Sequence, residues 1–154
     1  MAHKVSLNTF VLSGNVRIMM KKLTTADVKV SRIMTKNLIT VPLGTMVEEA
    51  VRKMVDFDVE CIPVVDSEGI LHGLLTFRDI VTKVIYSQTD VKGLKVEDIM
   101  AKDLVTCNLN CTVLDVVKLM KNKNLRRIPV VNAENKLMGL VTDFDLALFG
   151  WDFK

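Results

Sequence analysis

The chain repeats itself. Sliding the sequence by 66 residues sets 30–79 against 96–145 without a gap, and 20 of the 50 aligned positions are identical. VSRIMTKNLITV meets VEDIMAKDLVTC, CIPVVDSEG meets RIPVVNAEN, and LHGLLTFRD meets LMGLVTDFD. A register held over that length constrains the fold more than any single residue can. Whatever one copy folds into, the other does too, and the two must pack on each other.

Each copy reads the same way. A turn of helix around Ile-Met leads into a brief extended segment, residues 38–41 or 104–107. Val47, Ala50, Val51, Met54 and Val55 then recur at the spacing that makes one apolar helix face, with Val113, Val116, Val117 and Met120 as counterparts. The two IPVV runs are short and β-branched, and DSEG or NAEN separates each from a second aliphatic strand, which predicts a hairpin. A last helix follows Thr76, over 79–86, and Thr142, over 145–149. The unit is β-α-β-β-α. One unit has too little interior to be stable alone, so two are expected to pack sheet to sheet around a pseudo-two-fold axis, an α/β (α+β) fold with two related clefts. The division is an arm at 1–27, a first repeat at 28–86, a polar linker SQTDVKG at 87–93 and a second repeat at 94–154.

Composition agrees with a compact aliphatic core, since apolar residues are 49% and aromatics only 5%, with nine Met. No apolar run approaches a membrane span and the N-terminus lacks a secretory pattern, so the expectation is a cytoplasmic protein with no membrane partner. Cys61, Cys107 and Cys111 form no C-x-x-C pair and read as free structural thiols, with no metal expected. Residues 1–32 hold six basic side chains against Asp27, a balance of +5, so the remainder carries −2 of the overall +3. A nucleic-acid partner would therefore have to be held mainly by the arm. Neither His3 nor His72 sits in a nucleophile or acid-base pattern and no phosphate-binding glycine loop of the Walker type is present, so catalysis finds no support.

The repeated G-L-L-T-F-R-D and G-L-V-T-D-F-D carry the functional question. T-x-x-D before an apolar helix is a capping pattern, and capping alone accounts for it. The same helix start also presents backbone donors and the positive end of the dipole, a seat for phosphate. The glycine lets another backbone pass close by, and an aspartate can accept both hydroxyls of a vicinal diol. Phosphate and ribose together point to a nucleotide.

At these residues the sequence resembles the tandem cystathionine-β-synthase (CBS) domains, or Bateman module, over residues 28–149: the paired I-M segments, T-V-P and T-C-N, IPVV twice and G-h-h-T-x-x-D twice, h being aliphatic. The resemblance implies a ribose-binding aspartate and a threonine on ribose or phosphate, with adenine held by backbone of the first strand and of the strand ending in proline. In the first site these are Ile39, Thr40, Val41, Cys61, Ile62, Thr76 and Asp79, with Arg78 in the turn. In the second they are Val105, Thr106, Cys107, Arg127, Ile128, Thr142 and Asp145. Arg126 and Arg127 favour the second site for phosphate, and Asp143 opposes it. The implied ligand is AMP, with ADP and ATP competing, and the implied role a stand-alone energy-sensing regulator acting on an effector protein or on its own dimer. Alternatives are a constitutive dimerisation scaffold and nucleic-acid binding through the arm. Residues 9–20 read as two extended segments about a turn, with Met19 or Met20 as a possible natural start. Phe149, Trp151 and Phe153 suggest a subunit contact, so a homodimer is expected.

Overall fold

The computed structural model describes residues 28–152, with side chains to 150. The arm, its two extended segments and the Met19 or Met20 start lie outside the described residues, as do Phe153 and the side chain of Trp151.

Two three-stranded sheets follow the repeat. β1 (Val41–Pro42) runs parallel to β2 (Cys61–Val65), which pairs antiparallel with β3 (Leu71–Thr76). β4 (Cys107–Asn108), β5 (Arg127–Val131) and β6 (Leu137–Thr142) repeat that arrangement. The extended segments expected at 38–41 and 104–107 pair only from their last residues onward, Val41 with Val64 and Cys107 with Val130. The reason is chemical. In this register the residue that would donate to Ile39 is Pro63, and to Val105 Pro129, and proline has no N–H to give.

α1 (Val47–Asp56) and α4 (Val113–Lys123) lie between the first and second strands of their sheets. Val47, Ala50 and Met54 are buried and Val51 partly so, but Val55 is 67% exposed; in α4, Val113, Val116 and Met120 are buried while Val117 is exposed. The buried stripe is thus narrower than the sequence pattern. After β3, α2 (Phe77–Ile80) continues as a π-helical stretch, Val81–Tyr86; after β6, α5 (Asp143–Asp152) runs on. Both begin directly after the threonine, two residues earlier than expected.

The packed units do not coincide with the sequence repeats. The first core joins Val41, Val47, Ala50, Met54, Ile62, Val64 and Leu75 to Val96, Ile99 and Met100, which come from the start of the second repeat, including α3 (Val96–Ile99). Reciprocally, Val30 and Met34, at the start of the first repeat, complete the core around Cys107, Val116, Met120, Ile128, Val130 and Val141. Each lead-in segment also pairs with the far sheet: Thr35 and Leu140 exchange backbone hydrogen bonds of 2.9 and 3.0 Å, and Leu74 and Ala101 two of 3.0 Å. Gly73 and Gly139 make this possible, because a Cβ there would lie 2.3 Å from Met100 Sδ and 2.6 Å from Met34 Sδ. The expected close neighbour of these glycines was backbone; it is mainly a methionine side chain of the other repeat.

The linker belongs to the first core as well. Val91 and Leu94 pack against it, and the Leu94 carbonyl accepts from Val47 N–H at 2.9 Å. Around the pseudo-two-fold axis, Leu74 and Leu140 meet with Cys61 and the partly buried Leu38 and Leu104. The hairpin turns touch too: Leu71 N–H donates to the Asn135 carbonyl at 3.0 Å and Leu137 N–H to that of Gly69 at 2.9 Å.

Candidate functional site

Two clefts open where the repeats meet, and each draws on both. The first, about 450 Å3, is lined by Ile39, Asp58, Glu60 and Cys61 together with Arg126, Arg127, Thr142, Asp143 and Phe144. The second, about 400 Å3, is lined by Val105, Asn124, Arg126 and Arg127 together with Thr76, Arg78 and Asp79. The expectation that each site is assembled within one repeat is therefore corrected. The Leu74–Ala101 pairing carries the end of β3 to the segment leading into β4, and Thr35–Leu140 does the same for β6. The T-x-x-D turn of one repeat thus faces the strand start of the other.

Within the strands, only alternate residues can offer backbone to a cleft. Leu74 and Leu140 bond outward to the lead-in segments, so Leu75 and Val141 turn their backbone groups toward Ile62 and Ile128. Cys61 and Arg127 consequently face the opposite edge, where the clefts lie and where β1 and β4 do not reach. Ile62 and Ile128, expected to hold adenine through backbone, are spent on the ladder with fully buried side chains. Val41 and Cys107 are likewise buried in the cores, and Thr40 and Thr106 line neither cleft.

The two repeated turns are capping boxes. Thr76 N–H and Oγ donate to Asp79 Oδ2 at 3.0 and 2.6 Å, and Asp79 N–H returns a bond to Thr76 Oγ at 3.2 Å. Thr142 and Asp145 repeat this at 2.7, 2.8 and 3.2 Å. A third T-x-x-D, Thr112 to Asp115, builds the same box at the start of α4 and lines neither cleft. Among the described residues the T-x-x-D geometry is therefore a helix cap at each occurrence, and only its place beside a cleft distinguishes a candidate ligand group. By that measure the turns differ. Thr76 and Asp79 both line the second cleft, with Lys83 Nζ 2.9 Å from Asp79 Oδ1. Thr142 lines the first, but Asp145 does not; it borders a hollow of about 220 Å3 with Arg32, Ile33, Leu148 and Phe149.

The arginines expected to meet phosphate are already engaged. Arg126 Nε donates to Asp143 Oδ2 at 2.7 Å, and Arg127 pairs with Glu60 across the repeat boundary. The hydrogen bond and charge of Asp143 raise the Arg126 pKa above its ordinary value. Asp143, expected to repel an anion, is thus neutralised by a neighbour, and an incoming phosphate must share or displace these carboxylates. Burial raises the Cys61 thiol pKa, opposed by the adjacent Arg127 charge; burial, reinforced by Cys111, pushes Cys107 up to about 12. Neither is a ready nucleophile. Among the described residues no helix is long and apolar enough to cross a membrane, and no three His, Cys, Asp or Glu side chains converge to hold a metal.

Asp58 and Asn124 are cleft residues that the sequence reading passed over. Both take left-handed backbone, φ 52°, just after their helices. An Asp and an Asn at the same repeat position, where α1 and α4 must stop, was the available signal.

Paired repeats with two such clefts define a class of tandem modules, and comparison with known proteins gives the family. A family model for the CBS domain matches residues 30–86 and again 96–151, and the chain belongs to that family. It is 36% identical over 115 residues to the CBS domain-containing protein YhcV of Bacillus subtilis, covering 75% of this chain and 80% of that one. It is 34% identical over 118 residues to the inosine-5'-monophosphate dehydrogenase of Methanocaldococcus jannaschii, covering 77% of this chain but only 23% of the enzyme. Among solved structures, it is similar to the CBS domain pair of protein MJ0100 in complex with 5'-methylthioadenosine and S-adenosyl-L-methionine, with TM-score 0.71 and 27% identity, covering 80% and 97%. CBSX2 in complex with AMP gives TM-score 0.72 and 26% identity, covering 81% and 97%.

Proposed function

We propose that the chain is a non-catalytic regulatory module that binds an adenine nucleotide, AMP in competition with ADP and ATP, in its second cleft. The observation that carries this reading is the meeting there of a T-x-x-D turn, Thr76 to Asp79, with three guanidinium groups, Arg78, Arg126 and Arg127, beside the open backbone edge at Arg127. The base would take that edge, Asp79 the ribose once it yields Lys83, and the arginines the phosphate. This differs from the sequence expectation, which favoured the turn of the second repeat. The AMP complex of a similar domain pair supports the ligand class. Binding between the repeats would favour one relative arrangement over another, and an effector protein would read the difference.

A thermal-shift and calorimetric titration with AMP, ADP and ATP tests the reading. A ligand at 100 times its Kd should add about 2.7 kcal/mol to stability. Arg78→Ala should weaken AMP while leaving the melting temperature of the free chain unchanged. Absence of binding by all three nucleotides would refute the proposal.

A homodimer has its own support. Phe77, Val81 and Ile85 form an exposed stripe at four-residue spacing, and Phe144 with Leu148 forms another on α5. A constitutive scaffold would use the same stripes but would be indifferent to nucleotide. Sedimentation with and without AMP separates the two.

A further inference from the structure

The pseudo-two-fold axis gives each cleft position a counterpart 66 residues away in the other cleft, so the two can be compared residue by residue. Their charges run opposite. Where the first has Asp58, Glu60, Cys61 and Phe144, the second has Asn124, Arg126, Arg127 and Arg78. Asp143 of the first has Phe77 as its counterpart, and the exchange in the other sense is Asn37 for Asp103. Arg126 and Arg127 stand between the clefts and line both, yet the carboxylates that hold them, Asp143 and Glu60, both lie on the first. The first cleft therefore presents three carboxylates and two guanidinium groups, and the second three guanidinium groups and two carboxylates, Asp79 and Asp103. Lys83 further offsets Asp79.

We propose that the clefts take different adenosine compounds: the second a 5′-phosphorylated nucleotide, the first an adenosine derivative without phosphate, bound best when its 5′ substituent is cationic, as a sulfonium is. The inference rests on the nucleotide reading of the second cleft and gives the first a ligand class of its own. A phosphate entering either cleft must share Arg126 and Arg127 with Asp143 and Glu60, but in the first those carboxylates line the cleft itself beside Asp58, whereas the second adds Arg78; no ion pair among the described residues engages Asp58 or Arg78. A sulfonium in the first cleft gains from Asp58 and Glu60 while the arginine pairs stay intact. Both acidic side chains are exposed in the free chain, and one such carboxylate facing a bound cation is worth about tenfold in affinity.

The test is calorimetric titration of the full chain with AMP, S-adenosylmethionine and 5′-methylthioadenosine, each alone and against a saturating amount of the others. AMP and S-adenosylmethionine should bind together, one of each per chain, and methylthioadenosine should displace only the sulfonium compound, with affinity lower by about tenfold. Arg78→Ala should weaken AMP by about tenfold and S-adenosylmethionine by less than about twofold. Asp58→Asn should do the reverse. That variant installs the residue found at the counterpart Asn124, whose backbone has the same φ of 52°, so the fold is not strained. Competition on the unmodified chain stands whatever the variants do. One-for-one displacement of S-adenosylmethionine by AMP overturns the proposal, as does equal weakening of both ligands by either variant. AMP binding with no response to the two phosphate-free compounds overturns it too, while leaving the proposed function in place. Failure of all three compounds would instead remove the nucleotide reading.

Discussion

Gly73 and Gly139 lack side chains because Met100 and Met34 fill the space where a Cβ would stand. Both methionines are buried, and the whole thioether segment, Cγ, Sδ and Cε, crowds the Gly73 site, so an added methyl cannot be met by swinging one chain end aside. Gly73→Ala should therefore cost about 1–3 kcal/mol of overpacking, read by urea unfolding. With Met100→Ala as background the penalty of Gly73→Ala should shrink, and the non-additivity in a double-mutant cycle measures the contact. A full penalty on that background would mean that backbone strain, not the methionine, is responsible. The recurrence of these glycines was legible in the sequence, but their reason was not. Periodicity and spacing report on one stretch of chain, whereas what a glycine must avoid is supplied by a residue of the other repeat.

At the scale of elements, three capping boxes share one geometry but differ in surroundings. Thr112→Ala and Thr76→Ala each remove a helix cap and should each cost about 1 kcal/mol in thermal or chemical unfolding. Only Thr76→Ala should also weaken AMP, because Thr112 lines neither cleft. Equal effects on binding would reduce the turn at Thr76 to a cap alone. The helices and hairpins were readable from pattern, α1 and α4 from their apolar stripes and β2 to β3 from IPVV and its turn. The length of β1 and β4 was not, since it is set by which neighbour a proline fails to bond. The exposure of Val55 was hidden for a related reason: periodicity places it near the apolar face, but no element among the described residues covers that edge.

The whole molecule is two cores that each borrow a segment from the other repeat. Val96, Ile99 and Met100 complete the first core, and Val30 and Met34 the second. Fragments 1–92 and 93–154 made separately should lack cooperative unfolding and native near-ultraviolet dichroism, and should recover both when mixed. Independent folding of either fragment would contradict the interlocked cores. The identity of the candidate site residues was largely legible, since Thr76, Arg78, Asp79, Arg126 and Arg127 were all named from sequence. Their grouping was not. A duplication shows that two halves match, but it does not show which half completes which cleft; that follows from the crossing of the lead-in segments.

That crossing sets an order on synthesis. A chain leaving the ribosome has β1, α1, β2 and β3 in hand well before Met100 emerges, yet the first sheet stays open on one side until it does. Val30 and Met34 wait longer, because the sheet that receives them ends at Thr142. Although the chain consists of two copies, its nascent form has no finished half to set aside, and apolar surface of both repeats stays exposed to aggregation until β6 has emerged.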